Sequence, residues 1–234
     1  MKKAVVIICA RGGSKGLKNK NLKKVGNLSL IERSIKIAKK LKNIRQIIVS
    51  TDSDKIASLA KKSGAIIPEL RPKSLAKDNT PEIKVWKYLI KLLTKEKKYK
   101  FDVNNDFLIS LSPTSPLREL KDIKRGIKKF LSNKNNDALV SMNEPYRNPY
   151  FNMVKKNNDR LSLVCSSRKN IYRRQDCPKV YDMNTVVYIF KPSFILKANH
   201  LFDGKVTGIV TDRKSSVDID DEIDLKFSKS LLKN

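Results

Sequence analysis

The sequence predicts an α/β protein, a mostly parallel sheet with helices on both faces. Three observations predict it. Residues 4–10 are a continuous apolar run, the pattern of a strand covered on both sides. Strand-like and helix-like segments then alternate through the first half of the chain, as parallel βαβ units do. Of the 234 residues, 40% are hydrophobic, which argues for a packed core and against a largely disordered chain.

The elements follow in order. After the first strand comes a glycine-rich loop. Leu30, Ile31, Ile35, Ala38 and Leu41 repeat at helical spacing, and Ser29 with Glu32 forms a capping box. Residues 46–51 are a second strand. Ile56, Ala57, Leu59 and Ala60 mark a helix after Ser53, and residues 65–67 a short third strand. Thr80 is placed to cap the next helix, with Pro81 at its first position. Its stripe is Ile83, Trp86, Leu89, Ile90 and Leu93, which makes Trp86 a core residue. Residues 107–111 are a strand, Leu120, Ile123, Ile127, Phe130 and Leu131 a helix, and residues 138–142 a strand.

After residue 145 the rhythm changes. Strand-like pieces at 151–155, 161–165 and 185–190 are separated by polar stretches, which predicts an insertion. The chain is expected to rejoin the main sheet near 208–210 and to close with a helix from Glu222. The length fits one domain over 1–234, with the insertion at about 145–185.

Lys and Arg number 51 against 23 Asp and Glu, a net charge of +28. A polyanion binder such as a nucleic-acid protein is one source of such an excess. Lys dominates Arg, however, and the lysine-rich segments have few aromatics for stacking bases. The excess is read as a lysine-loaded surface, without a nucleic-acid partner. No apolar run approaches the ~18–20 residues of a membrane span. Cys9, Cys165 and Cys177 have no paired spacing, which fits a reducing compartment and neither a zinc site nor a disulfide framework. The apolar stretch near the N-terminus is only seven residues long and has no cleavage pattern, so the expected location is the cytoplasm.

Two concentrations of residues point to chemistry. Gly12, Gly13 and Gly16 fall directly after the first strand, among Arg11, Ser14, Lys15, Lys18 and Lys20. Ligands of open α/β sheets bind beyond the carboxyl ends of strands. Glycines there let the backbone approach phosphate while cations neutralise it. The spacing is neither that of the Walker loop nor that of the dinucleotide fingerprint. The second concentration is acidic: Asp218, Asp220, Asp221, Glu222 and Asp224 crowd one short stretch of a basic chain. In an extended Asp218-Ile219-Asp220, both aspartates face one side and Ile219 the core. Two such carboxylates suit Mg²⁺, which takes few protein oxygens plus substrate phosphates. Helix N-terminal charge accounts for the remaining acids. The single histidine, His200, sits in a loop-like stretch and offers no triad or histidine-metal site.

Three further groups are loops of the same kind: Arg71-Pro72 through Asp78, Ser112-Pro113-Thr114-Ser115-Pro116-Leu117-Arg118, and Arg173-Arg174-Gln175 with Pro178, Tyr181 and Asn184. With Ala10 to Gly16, Lys20-Asn21 and Asp218-Ile219-Asp220, these occur in the order and spacing of the acylneuraminate cytidylyltransferases, the CMP-sialic acid synthetases. The chain resembles that family over nearly its whole length. Arg147-Asn148-Pro149-Tyr150-Phe151-Asn152 and Tyr181-Asp182-Met183-Asn184 look most like its legionaminic acid branch.

The resemblance implies a Rossmann-like nucleotidyltransferase fold with a small dimerisation subdomain, and a homodimer. It implies transfer of CMP from CTP to a nonulosonic acid, with release of pyrophosphate. Arg11, Gly12, Gly13, Ser14, Lys15 and Lys20 would hold the triphosphate, and Asn21 and Arg71 the cytidine. Asp218 and Asp220 would hold Mg²⁺. Ser112, Thr114, Arg174, Gln175, Tyr181 and Asn184 would face the sugar. Arg11, Lys20 and Asp220 are the expected catalytic residues, with Asp220 or a hydroxide on the metal as the base. The chain departs from the family's pattern in three places. Asn79-Thr80-Pro81-Glu82 stands where small residues often meet cytosine, Ser112 where many members have Gln, and Thr185 where many have Gly. The last two point to a sugar other than N-acetylneuraminic acid. A related transferase acting on another sugar acid or a sugar phosphate is the near alternative, and a basic nucleic-acid-binding α/β protein the distant one.

Overall fold

The computed structural model describes residues 2–166 and 171–233. The chain runs β1 (Ala4–Cys9), β2 (Lys24–Val25), β3 (Leu28–Ser29), α1 (Leu30–Ala38), β4 (Ile44–Ser50), α2 (Asp54–Lys62), α3 (Glu82–Lys95), β5 (Phe107–Ser110), α4 (Leu120–Ser132) and β6 (Ala138–Asn143). Then come β7 (Val154–Asn157), β8 (Arg160–Leu163), β9 (Asp182–Phe190), α5 (Pro192–Lys197), β10 (Val206–Val210) and α6 (Glu222–Lys233).

Six strands make the main sheet, in the order β10-β6-β9-β5-β1-β4. β1 pairs with β4 and β5, and β10 with β6, all in parallel. β9 is antiparallel to both β5 and β6. The sheet is therefore mixed, with three of these five pairings parallel. Alternation along β1 explains the two layers. Ala4, Val6 and Ile8 face a core shared with α1, α2 and α4. Val5 and Ile7 face the opposite core, built on α3 and α5. Trp86 packs in that second core, its ring 4.5 Å from Phe190 and edge-on to Tyr188.

The capping box on α1 is present: Ser29 Oγ accepts from Glu32 N–H, and Glu32 Oε2 accepts from Ser29 N–H at 2.8 Å. The start of α3 differs from expectation. Pro81 occupies the capping position, and the Thr80 hydroxyl instead donates to the Ser74 carbonyl. Residues 65–67 form no full strand and make only a bridge from Ile66 to Ile48. The largest difference concerns residues 185–190, a strand-like piece expected before the chain rejoins the main sheet near 208–210. They belong to β9, and the chain rejoins the main sheet at Asp182, well before β10. Among the described residues, no helix is long and apolar enough to cross a membrane.

Candidate active site

The glycine loop leaves the carboxyl end of β1 and is held from two sides. Gly12 N–H donates to Asp52 Oδ1, just past β4, at 2.8 Å. Asn21 Nδ2 donates to the Arg11 carbonyl at 2.9 Å. Asn21, expected to contact the cytidine, is thereby buried beneath this loop. Gly16 lies against the acidic segment, so that a Cβ there would stand 2.5 Å from the Asp220 carbonyl oxygen. Only glycine allows this approach. Ile219 N–H donates to the Thr114 carbonyl at 2.9 Å, which ties the acidic segment to the loop after β5. Three loops far apart in sequence thus meet at one end of the sheet.

They enclose a cavity of about 430 Å³. Arg11, Ser14, Lys15, Lys20 and Asn21 line it from the first loop, Ser112 and Thr114 from the second, and Asp220 from the third. Arg71 and Asp78 complete one wall. Arg71 is buried and fixed to the end of β4, with Nε on Ser50 Oγ at 3.0 Å and Nη2 on the Ser50 carbonyl at 2.6 Å. Lys20 Nζ meets Asp220 Oδ1 at 2.8 Å. Asp78 takes an ion pair from Lys15 at 2.6 Å and another from Arg11. These bonds, first from Lys15 and then from Arg11, hold its carboxyl below the usual carboxylate range. Asp78 is the counter-charge of Lys15 and Arg11, a part that only its place beside Lys77 in a basic loop hints at.

The two aspartates differ in setting. Ile219 is fully buried between them, as the alternation requires. Asp220 opens to the cavity. Asp218 turns inward, where Oδ2 accepts from Thr185 Oγ1 at 3.2 Å and Oδ1 is buried without a partner. Thr185 also bonds Ser115 Oγ at 2.6 Å, a link glycine could not make. Arg118 stands nearby, buried, donating to the carbonyls of Ser112, Ser115 and Thr185. Burial lowers its guanidinium to about 9, and the charge of Asp218 opposes that fall. Arg118 is thus the brace of the Ser112 loop, a role its position at the loop's end foreshadows. Among the described residues, no group of three His, Cys, Asp or Glu gathers as a metal cluster. An orphaned carboxylate oxygen on Asp218 and the carboxylate of Asp220 are hard donors of the kind Mg²⁺ takes together with substrate phosphates, but the two do not face one side as the alternation predicted, since only Asp220 lines the cavity.

The other sugar-side expectations divide. Arg174, Gln175 and Tyr181 line a separate cavity with Glu144, Pro145 and Asn148. Arg174 Nη2 is committed to the Pro145 carbonyl at 2.5 Å. Asn184 is buried, and its Nδ2 donates to Asn143 Oδ1, Thr211 Oγ1 and Ser216 Oγ. It ties strands together and does not face either cavity. Gly12 and Gly13 shape the loop without lining the cavity. His200 is structural, its Nδ1 accepting from Phe202 N–H in a turn.

Comparison with known proteins agrees with this geometry. The family model described as cytidylyltransferase matches residues 5–233. The chain is 41% identical over 233 residues to the CMP-N,N'-diacetyllegionaminic acid synthase of Campylobacter jejuni, covering 99% of this chain and 96% of that protein. It is 39% identical over 234 residues to the post-translational flagellin modification protein B of Campylobacter coli, covering 100% of this chain and 96% of that protein. A solved structure of CMP:2-keto-3-deoxy-manno-octonic acid synthetase complexed with CTP superposes with a TM-score of 0.71 and 13% identity over 99% of each chain, a likeness of fold. With its glycine loop, strand-end cavity and full-length match taken together, the chain is a nucleotidyltransferase and belongs to the cytidylyltransferase family.

Proposed function

We propose that the protein transfers CMP from CTP to the anomeric hydroxyl of a nonulosonic acid, N,N'-diacetyllegionaminic acid, and releases pyrophosphate. One observation supports this above the others. A single cavity joins the cations of the first loop, the hydroxyls of Ser112 and Thr114, and Asp220. Phosphoryl-type transfer needs positioning and charge stabilisation more than covalent work from the protein. Arg11, Lys15 and Lys20 hold the triphosphate, and Asp78 releases the first two of these to it. Charge grows on the leaving pyrophosphate as the bond to the α-phosphorus breaks, and the same cations stabilise it. Asp218 and Asp220 would hold Mg²⁺, which when bound supplies charge neutralisation at the phosphates.

The sugar assignment is supported by the Campylobacter jejuni synthase above and by Ser112. A short hydroxyl, paired at 2.8 Å with Thr114, leaves room where a longer amide is common. Legionaminic acid carries an acylamino group and a methyl where N-acetylneuraminic acid carries hydroxyls. Pyrophosphate release from saturating CTP tests this. kcat/KM for N,N'-diacetyllegionaminic acid is expected to exceed that for N-acetylneuraminic acid by roughly 10–200-fold, the range for one small apolar group seated in a matching pocket. Equal values would remove the legionaminate assignment. The nucleic-acid alternative has no support of this kind, since the charge excess alone suggests it.

We propose further that the protein is a homodimer. β7 and β8 form a two-stranded ribbon whose residues are all exposed. Pairing of Val154 with Leu163 and of Lys156 with Leu161 puts Val154, Leu161 and Leu163 on one face. A second copy of the chain is the occupant that covers it.

A further inference from the structure

A smaller cavity, of about 220 Å³, lies between α1 and the loop that follows β5. Arg33, Lys36 and Lys40 line it from the helix, and Ser115, Pro116 and Arg118 from the loop. It shares no lining residue with the candidate active site. Four of its wall residues are cations and none is an acid. Arg33, Lys36 and Lys40 are spaced by three and four positions, which puts them on one face of α1. Like charges at that spacing repel each other. Among the described residues, none of the four cations makes an ion pair. Arg33 Nε donates to the Pro116 carbonyl at 3.1 Å and Nη1 to the Val25 carbonyl at 2.9 Å, which leaves Nη2 uncommitted. Arg118 is buried, with its Nη1 unpartnered. Burial depresses both guanidinium groups below the ordinary arginine value, and only Arg118 has an acid that opposes the fall, Asp218, which is not in this wall.

We propose that this cavity binds a small phosphate-class oxyanion, at a site separate from the nucleotide cavity. The site is independent of the transfer reaction proposed above. An oxyanion supplies the negative charge that the wall lacks. Arg33 Nη2 and the ammonium groups of Lys36 and Lys40 donate to it, and buried Arg118 adds positive field from behind. A multivalent ion suits four cations better than a single carboxylate does. Size points the same way. The volume is half that of the nucleotide cavity and lies below the roughly 300–1,000 Å³ of pockets that enclose drug-sized ligands. No aromatic residue lines it, so it offers no platform for a base. Free phosphate and pyrophosphate share the required chemistry. Arg33 already holds Pro116, and Arg118 holds Ser115, in the loop that carries Ser112 and Thr114 to the active cavity. An ion shared by these two arginines and α1 adds a further restraint on that loop.

Titration calorimetry with inorganic phosphate, and separately with pyrophosphate, compares the unaltered protein with Lys36→Glu plus Lys40→Glu. Both lysines are exposed and neither lines the nucleotide cavity, so the urea midpoint is expected to hold. Lys36→Gln with Lys40→Gln is the milder pair should it fall. The nucleotide cavity attracts the same anions through Arg11, Lys15 and Lys20, so two classes of bound anion are expected in the unaltered protein. Reversing Lys36 and Lys40 is expected to weaken one class about tenfold or more and to spare the other. Arg11→Ala is expected to do the converse. Lys61→Glu with Lys62→Glu, at exposed positions of α2, changes the net charge equally and is expected to spare both classes. An equal loss in that variant would mean diffuse attraction to a basic surface and would overturn the proposal. So would a single class of anion that Arg11→Ala alone removes. The anion that fills the lysine-dependent class identifies the source, phosphate from solution or released pyrophosphate, and failure of both overturns the site.

Discussion

The strand-end cavity and the β7–β8 ribbon are opposite solutions to the same chain's needs. Around the cavity each loop is fixed by another: Gly12 by Asp52, Ile219 by Thr114, and the Ser112 loop by Arg118. The groups that bind these loops together are partly or fully buried, and their hydrogen bonds hold the loops in place within one copy. The ribbon has four exposed residues in each strand and an apolar face open to water. Two strands alone are marginal in water, and this pair lies on neither core of the main sheet. The candidate site is built inward on the sheet, and the proposed association outward on an arm. Substitutions can therefore separate the two.

The largest effect belongs to the cavity. Arg11→Ala is expected to remove about 2–3 kcal/mol of transition-state stabilisation, the scale of one preorganised donor to developing charge. Steady-state kinetics should show this as a fall of about two orders of magnitude in kcat, with sedimentation behaviour unchanged. A rise in KM for CTP alone would make Arg11 a uniform binder of the ground state. The converse experiment places charge on the ribbon. Leu161→Asp with Leu163→Asp is expected to convert a dimer to a monomer in analytical ultracentrifugation, and to leave CTP affinity within about threefold. A monomeric parent protein would break the comparison, because the arm would then lack the partner assigned to it.

The smallest effect concerns Asp78. Its carboxyl is held low by Lys15 and then Arg11. A depressed carboxylate contributes stability above its unfolded value, near 3.9, and loses it as pH falls through the folded value. Asp78→Asn should remove a small part of the acid dependence, read as a shallower loss of the urea midpoint below about pH 4. The side chain is solvent-accessible, so the difference is modest and shrinks further in salt.

Local order is legible in the sequence wherever one periodicity governs it. The apolar run of β1, the Ser29–Glu32 box and the stripe of α3 all read correctly because each is decided by neighbours within a few residues. The glycine loop and Asp220 also stand out by local composition, and they meet in one cavity. What the sequence hides is decided at long range. Residues 185–190 show apolar runs, but nothing near them says that they insert between β5 and β6. Asn184 reads as a site amide because its partners, Asn143, Thr211 and Ser216, come from three other places in the chain. Arg118, buried, and Asp218, half-buried, are brought together as neighbouring charges by the same long-range folding. The Thr80 cap is lost for a more local reason: Pro81 already directs the chain into α3, which leaves the hydroxyl free for Ser74.

The central position of β9 has a consequence for how the protein is made. β4, β1 and β5 can assemble as soon as the first 110 residues are available, by short βαβ steps. β6 cannot add to them, since its partners are β9 and β10. Until residue 190 has emerged from the ribosome, β5 therefore presents a bare edge, apolar except at Ser110. The nascent chain is exposed to wrong pairing throughout that interval, and the late arrival of one antiparallel strand both joins the two halves and ends the risk.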